Sequence, residues 1–203
     1  MGRVVTLRGQ VPVRFGPLTT YGSAGLHRIF TYESPDRRRA WRVKYAVMWV
    51  QEALIGTGGV DQRALLQTAL TTDGYGLNEP KITSGATARR WERAIGPADN
   101  RTIGWCVTDY GSRDNTSADW MMPHGAATDM GGRLVLDADR LVTSELYIAT
   151  FAVNESTATT NTELGYYIEL EEMTVSPSTS LFQQIKGVGQ DADVPTVTEF
   201  PIS

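Results

Sequence analysis

Three groups of side chains in this sequence have the types and spacing to do chemistry. The first is basic: Arg37, Arg38, Arg39, Arg42 and Lys44 fall within eight residues beside Trp41 and Tyr45, and Arg89, Arg90 and Arg93 flank Trp91. Guanidinium groups suit phosphate contacts and nearby rings suit base stacking, so these eight cations are candidates for a nucleic-acid-facing patch. The same residues also read as the solvated entry of a strand and the polar side of a loop helix. The second group is acidic. Asp109, Asp114, Asp119, His124 and Asp129 lie within 21 residues of loop-rich sequence, where oxygen ligands suit a hard cation such as calcium. Their spacing matches no calcium loop, and no metal is assigned to them. The third is Cys106 with His124 or His27, the one Cys/His combination open to nucleophilic catalysis. Cys106 stands between Trp105 and Val107 in an apparent strand, on the face opposite theirs, where a free cysteine is ordinarily buried.

Other catalytic patterns fall away on geometry. Glu171 and Glu172 are adjacent, and adjacent strand residues point to opposite faces, which argues against a shared glycosidase-type site. The sequence holds no G-x-S-x-G elbow and no Walker-type phosphate loop. Neither an enzymatic activity nor a cofactor is expected.

Composition narrows the class further. The 203 residues are 41% hydrophobic and 21% charged, the balance of a soluble globular chain. No run approaches the roughly 18 apolar residues of a membrane span, and the start "MGRVVTLRGQ" lacks the apolar region of a secretory signal. Gly2 and Thr6 fit the loose M-G-x-x-x-[ST] myristoylation pattern. A single cysteine rules out an intrachain disulfide and a cysteine-based zinc site. The net charge of −4 hides a division. Residues 1–101 hold 15 of the 19 Lys+Arg against 8 of the 23 Asp+Glu, a balance of +7, and the remainder balances at −11. Such asymmetry points to a polar partner such as nucleic acid, unless both halves interleave in one fold.

The elements that must position these groups read as mostly β. "VVTLRGQVPVRF" (Val4–Phe15) suits a strand pair turning at Gly9-Gln10, or an extended arm. "LHRIFTYES" follows a turn cluster. In "DRRRAWRVKYAVMWV" the residues Trp41, Val43, Tyr45, Val47 and Trp49 alternate with Arg42, Lys44, Ala46 and Met48, which predicts one shared face for the first set. "VDQRALLQTALTTDG" is open to a helix capped by Asp61 or a strand, and its threonines favour the strand. A short helix is predicted over Ala86–Ile95. Ile103, Trp105 and Val107 are expected on one face of a strand, and Pro123 places a short strand at an edge. "RLVTSELYIATFAVN" is apolar on both faces. In "LGYYIELEEMTVS", Tyr166, Ile168 and Leu170 point inward and Tyr167, Glu169 and Glu171 outward, with a β-bulge expected at the paired glutamates. "SPSTSLFQQIKG" is the clearest helix: Ser176 caps it, Pro177 opens it, Leu181, Phe182 and Ile185 share a face, and Gly187 ends it. About eight strands, long loops and one or two minor helices imply an all-β chain, a single jelly-roll β-sandwich. It is taken as one domain over residues 1–203, with an N-terminal strand or arm (1–16) and an extended C-terminal arm (188–203).

The C-terminal half resembles the capsid or coat proteins of small tailless viruses. The residues that carry this are "DNRTIGW", "ADWMMPHG", "SELYIATFAVN" and "YYIELEEMTVSPSTSLFQQIKGVGQD". The resemblance implies a virion protein that self-assembles through loops and termini into an icosahedral-type shell, with other capsid subunits as partners and genomic nucleic acid at the inner face. It brings no catalytic residues. The chain departs from many such coats in lacking a long Arg/Lys-rich N-terminal tail, since Arg3, Arg8 and Arg14 are sparse. The alternative is a β-sandwich carbohydrate- or receptor-binding module using Tyr110, Asp114, Asp119 and Trp120.

Overall fold

Runs of β-branched and aromatic residues extend the chain readily, and strands dominate the result. The computed structural model describes residues 2–17, 23–33, 38–50, 63–72, 101–111, 122–124, 132–154 and 160–192. Among them are β1 (Val4–Pro17), β2 (Ser23–Thr31), β3 (Arg39–Val50), β4 (Arg63–Thr71), β5 (Thr102–Gly111), β6 (Met122–His124), β7 (Val135–Leu136), β8 (Leu141–Val142), β9 (Glu145–Asn154), β10 (Thr160–Thr174) and one helix, α1 (Pro177–Ala192). The expected helix over Ala86–Ile95 lies outside the described residues.

The pairing is nested. β4 pairs with β5, β3 with β8, β2 with β9 and β1 with β10, all antiparallel. These are the rungs of one long hairpin ribbon with its tip at β4 and β5. The ribbon is rolled, so that β10 also pairs with β3 and β9 with β4. One sheet then reads β1-β10-β3-β8 and the other β2-β9-β4-β5, the strand order of a single jelly roll. Gly16 and Pro17 at the end of β1 run beside Val153 and Asn154 of β9 and join the two sheets. Strands β6 and β7 add to β5, and Pro123 sits in the edge strand β6 as its missing N–H requires.

The space between the sheets is filled with apolar side chains. Phe15, Trp41, Val43, Met48, Leu164, Ile168 and Leu170 from one sheet meet Leu66, Leu70, Ile103, Leu146 and Ile148 from the other. On β10 the expected alternation holds: Ile168 and Leu170 are fully buried, and Tyr167 reaches the outer face. Within residues 60–74, Arg63–Thr71 is a strand, as its threonines suggested. Cys106 is buried on the inward side of β5, its Sγ 3.7 Å from Thr108 Oγ1.

Several expectations need correction. Val4–Phe15 is neither a hairpin nor a free arm. It pairs continuously with β10, and Gly9 is a seat for a ring rather than a turn, since a Cβ there would lie 2.6 Å from the Tyr166 hydroxyl. The bulge is not at Glu171 and Glu172. The register shifts between Glu169 and Leu170 against β3, which leaves Lys44 as the extra residue opposite an otherwise regular β10. That one residue flips the parity of β3. Trp41 and Val43 point into the core with Ala46 and Met48, while Tyr45, Val47 and Trp49 face outward, so the five do not share a face. A similar shift between Leu70 and Thr71 makes Ile103 the extra residue of β5. Ile103 is therefore buried, whereas Val107 is exposed and Trp105 packs outside against Ala69, Ala149 and Leu26. Finally, α1 does not stop at Gly187 but continues to Ala192, taking the first residues of the expected arm with it. Glycine ends a helix by adopting a left-handed conformation, and among the described glycines only Gly132 does so (φ 76°).

The helix start behaves as expected, with the Thr179 N–H donating to Ser176 Oγ at 3.1 Å. Gln183 holds α1 to the sandwich: it accepts from Arg140 Nη1 at 3.3 Å and donates to the Asp139 carbonyl at 3.0 Å. Ser180 is buried on this side, while Leu181, Phe182 and Ile185 are exposed.

Two outcomes follow for stability. Ile168→Ala empties a fully buried central position and should cost about 2–5 kcal/mol in urea unfolding. His27 on β2 donates to the Pro12 carbonyl, and its partial burial holds its pKa below the ordinary histidine value, the carbonyl bond opposing in part. Below about pH 6.5 the unfolded chain therefore takes up a proton that the folded chain resists. Thermal stability should fall as pH drops through that range, and His27→Gln should flatten the slope.

Candidate nucleic-acid interface

The basic stretch opens β3 and lies against the end of β10. Antiparallel register brings Arg42 opposite Glu171, Trp41 opposite Glu172 and Arg39 opposite Thr174. The two glutamates therefore stand among the cations. Arg39 Nη1 meets Glu172 Oε1 at 3.1 Å, and Lys44 Nζ lies 3.6 Å from Glu171 Oε2. Glu171 and Glu172 diverge to opposite sides of the strand, as adjacent residues must. Arg38 contributes its carbonyl, which accepts from the Val175 N–H at 2.8 Å. Arg42 is half-buried, and its Nε has no hydrogen-bond partner among the described residues. Arg39, Arg42 and Lys44 thus share one rim of the sandwich, divided between its faces by the bulge at Lys44. Arg37, Arg89, Arg90 and Arg93 lie outside the described residues.

Exposed ion pairs of this kind add little to stability, typically about 0–1 kcal/mol. Their effect is on the local field: two carboxylates offset two of the cations that the sequence displays in isolation.

A second feature of the same sheet was not foreseen. Across its outer face runs a row of alternating cations and rings. Arg8 Cζ of β1 lies 5.1 Å from the ring centre of Tyr167 on β10, and Tyr167 meets Tyr45 of β3 edge-on at 6.0 Å. Arg133 then lies 5.4 Å from the ring centre of Tyr45, held beside β3 by its bridge to Val47. The Tyr167 hydroxyl donates to Glu169 Oε1 at 2.7 Å, which fixes the ring. Trp49 continues this face and is 41% exposed. Only the outward parity of Tyr167 was readable in advance. Tyr45 joins it because of the bulge, and Arg133 comes from a segment with no basic neighbour in sequence.

The remaining candidate groups have narrower outcomes. Asp109 and His124 are register partners in the β5–β6 pair, while Asp114, Asp119 and Asp129 lie outside the described residues, as does Trp120. Among the described residues no group of three His, Cys, Asp or Glu side chains could hold a metal ion. No helix among them is long and apolar enough to cross a membrane.

No protein-family model matches this sequence. No curated protein matches it either. Similar solved structures include VP1 of Trichodysplasia spinulosa-associated polyomavirus, 10% identical, with a TM-score of 0.41 over 85% of this chain and 96% of that one. VP1 of Merkel cell polyomavirus in complex with GD1a oligosaccharide is also 10% identical, with a TM-score of 0.38 over 87% of this chain and 98% of that one. The unassembled VP1 pentamer of the same virus gives a TM-score of 0.31 at 10% identity, over 86% of this chain and 100% of that one. The jelly-roll assignment rests on the strand order itself.

The ion pairs generate a test. Glu171→Gln with Glu172→Gln should strengthen binding of a single-stranded oligonucleotide and steepen its salt dependence, by a log–log slope of about 0.7 per added phosphate contact. Fluorescence anisotropy across a salt series measures both.

Proposed function

We propose that this chain is a virion structural protein, a capsid or coat subunit forming one jelly-roll domain over residues 1–203 and assembling with its own copies into a closed, icosahedral-type shell. It acts by contact rather than by catalysis. The observation that carries this reading is the combination of a filled interior with apolar side chains on several separate outer surfaces. Val4 opens β1, Trp49 stands on one outer face, Val107 on the other, and Leu181, Phe182 and Ile185 line the exposed side of α1. The helix turns Ser180 and Gln183 to its own sandwich and leaves Leu181 and Ile185 exposed. Such surfaces suit burial against other molecules, and a subunit that tiles a shell needs more than one. The sequence resemblance to small-virus coats supports the same reading.

We further propose that Arg37, Arg38, Arg39, Arg42 and Lys44, with Arg89, Arg90 and Arg93, face the packaged nucleic acid. Glu171 and Glu172 temper that contact through their pairs with Lys44 and Arg39. A glycan- or receptor-binding module is the second reading, favoured by exposed Trp49 beside the Tyr45–Tyr167 pair.

Light scattering followed by negative-stain electron microscopy separates the two. Closed particles, rings or capsomers are expected. A monomer of the 22.3 kDa chain at every salt concentration, with tryptophan fluorescence quenched by a glycan, would replace the shell reading with the binding module.

A further inference from the structure

β1 is the outermost strand of the sheet β1-β10-β3-β8. The Glu172 N–H donates to the Arg3 carbonyl at 2.7 Å. In an antiparallel ladder this fixes the alternation: odd-numbered residues of β1 turn their N–H and C=O groups to β10, and even-numbered residues turn theirs away. The same alternation carries across the sheet, where Met48 donates to the Gly132 carbonyl and Leu134 to the Ala46 carbonyl at the far side of β3. Among the described residues, no strand pairs with Val4, Thr6, Arg8 or Gln10 on the side away from β10. Beyond them the edge closes. Pro12 has no N–H to offer there, and His27 takes its carbonyl. Among the described residues, 4–10 are thus an open edge, the template on which another strand is added.

The side chains select the strand. When two copies meet antiparallel about a two-fold axis at Leu7, Val4 pairs with the partner's Gln10 and Thr6 with the partner's Arg8. All four outward-turned residues are then used, giving about eight backbone hydrogen bonds at two per bonded pair. Sliding two residues one way sets Arg8 against the partner's Arg8, a like-charge pair that destabilises. Sliding the other way leaves Gln10 beyond the ladder. In the two-fold register at Leu7, the partner's Arg8 lies across the short side chain of Thr6 from Glu169, the β10 residue opposite Thr6. On the inner face the apolar row of Val5 and Leu7, already packed on the core, continues into the second copy. Val4, 57% exposed in the single chain, is covered.

We propose that β1 is a self-complementary edge through which two copies of this chain pair about a two-fold at Leu7, merging their sheets into one. This names the partner at one contact of the assembly proposed above and rests on that reading only in taking a second copy as the occupant.

Two variants of the full chain test it. Thr6→Pro removes one edge-facing N–H and leaves the β10 ladder intact, as Pro12 at the same parity already shows. Leu7→Cys places two thiols on the axis at a non-hydrogen-bonded pair, with Cα atoms about 4.5 Å apart and within disulfide reach. Under mild oxidation Leu7→Cys should form a covalent dimer that the wild type, whose one cysteine is buried, does not. Thr6→Pro should lower the mass seen by light scattering and remove hydrogen-exchange protection at Arg8 and Gln10. If Thr6→Pro assembles unchanged and Leu7→Cys does not cross-link, the edge contact is overturned while the shell reading stands. A wild-type dimer that Thr6→Pro abolishes, with no larger particle, keeps the edge and removes the shell. Protected edge amides in a monomeric protein would put a segment of the same chain on β1 and overturn the inference, and a monomer with unprotected amides overturns both. The variants are read independently, so loss of folding in one leaves the other decisive.

Discussion

The hydrogen-bonded register between β1 and β10 is the constraint on which the rest of the structure depends. It runs from Val4 opposite Glu171 to Phe15 opposite Thr160 without interruption. This outermost rung closes the ribbon, and closure brings β10 against β3 and the end of β1 against β9. The first completes one sheet and the second ties it to the other. The core follows from the same register, because Val11, Val13 and Phe15 reach it only if their parity matches Leu164, Ile168 and Leu170.

Much of this was legible because burial writes a period of two into sequence. β10 could be read residue by residue from Tyr166 to Glu171, and β9, apolar on both faces, announced a central strand. The failures have one physical source. A bulge adds a single residue, and a single residue inverts every face beyond it. Lys44 does this to β3 and Ile103 to β5. Nothing local marks either residue as the extra one, since the choice is set by the neighbouring strand. Gly187 misled for a related reason. A glycine permits a helix end without imposing it, and the helix continues where its backbone bonds continue.

The candidate interface was legible in composition and illegible in pairing. Arg37 to Lys44 are conspicuous as a run, and Glu171 and Glu172 as a pair, but more than a hundred residues separate them in sequence. Antiparallel register is what sets them together. The Arg8–Tyr167–Tyr45–Arg133 row is less visible still, since it draws on β1, β10, β3 and a bridging residue, and depends on the bulge at Lys44 to turn Tyr45 outward. A long-range ladder thus converts a charge division along the sequence into a mixed surface in space.

Nesting also carries a kinetic consequence. Because Val4 pairs with Glu171, the outermost rung forms only after nearly the whole chain has left the ribosome. Until then β1 has no ladder, and β3 lacks one flanking strand. Closing a loop of this length is entropically costly before any contact rewards it, and sheets built from such contacts fold slowly. The growing chain therefore carries unpaired apolar strands for most of its synthesis, the condition under which chains at high local concentration associate wrongly. In such a ribbon the edge of β1 takes its final form only when β10 has been paired with it.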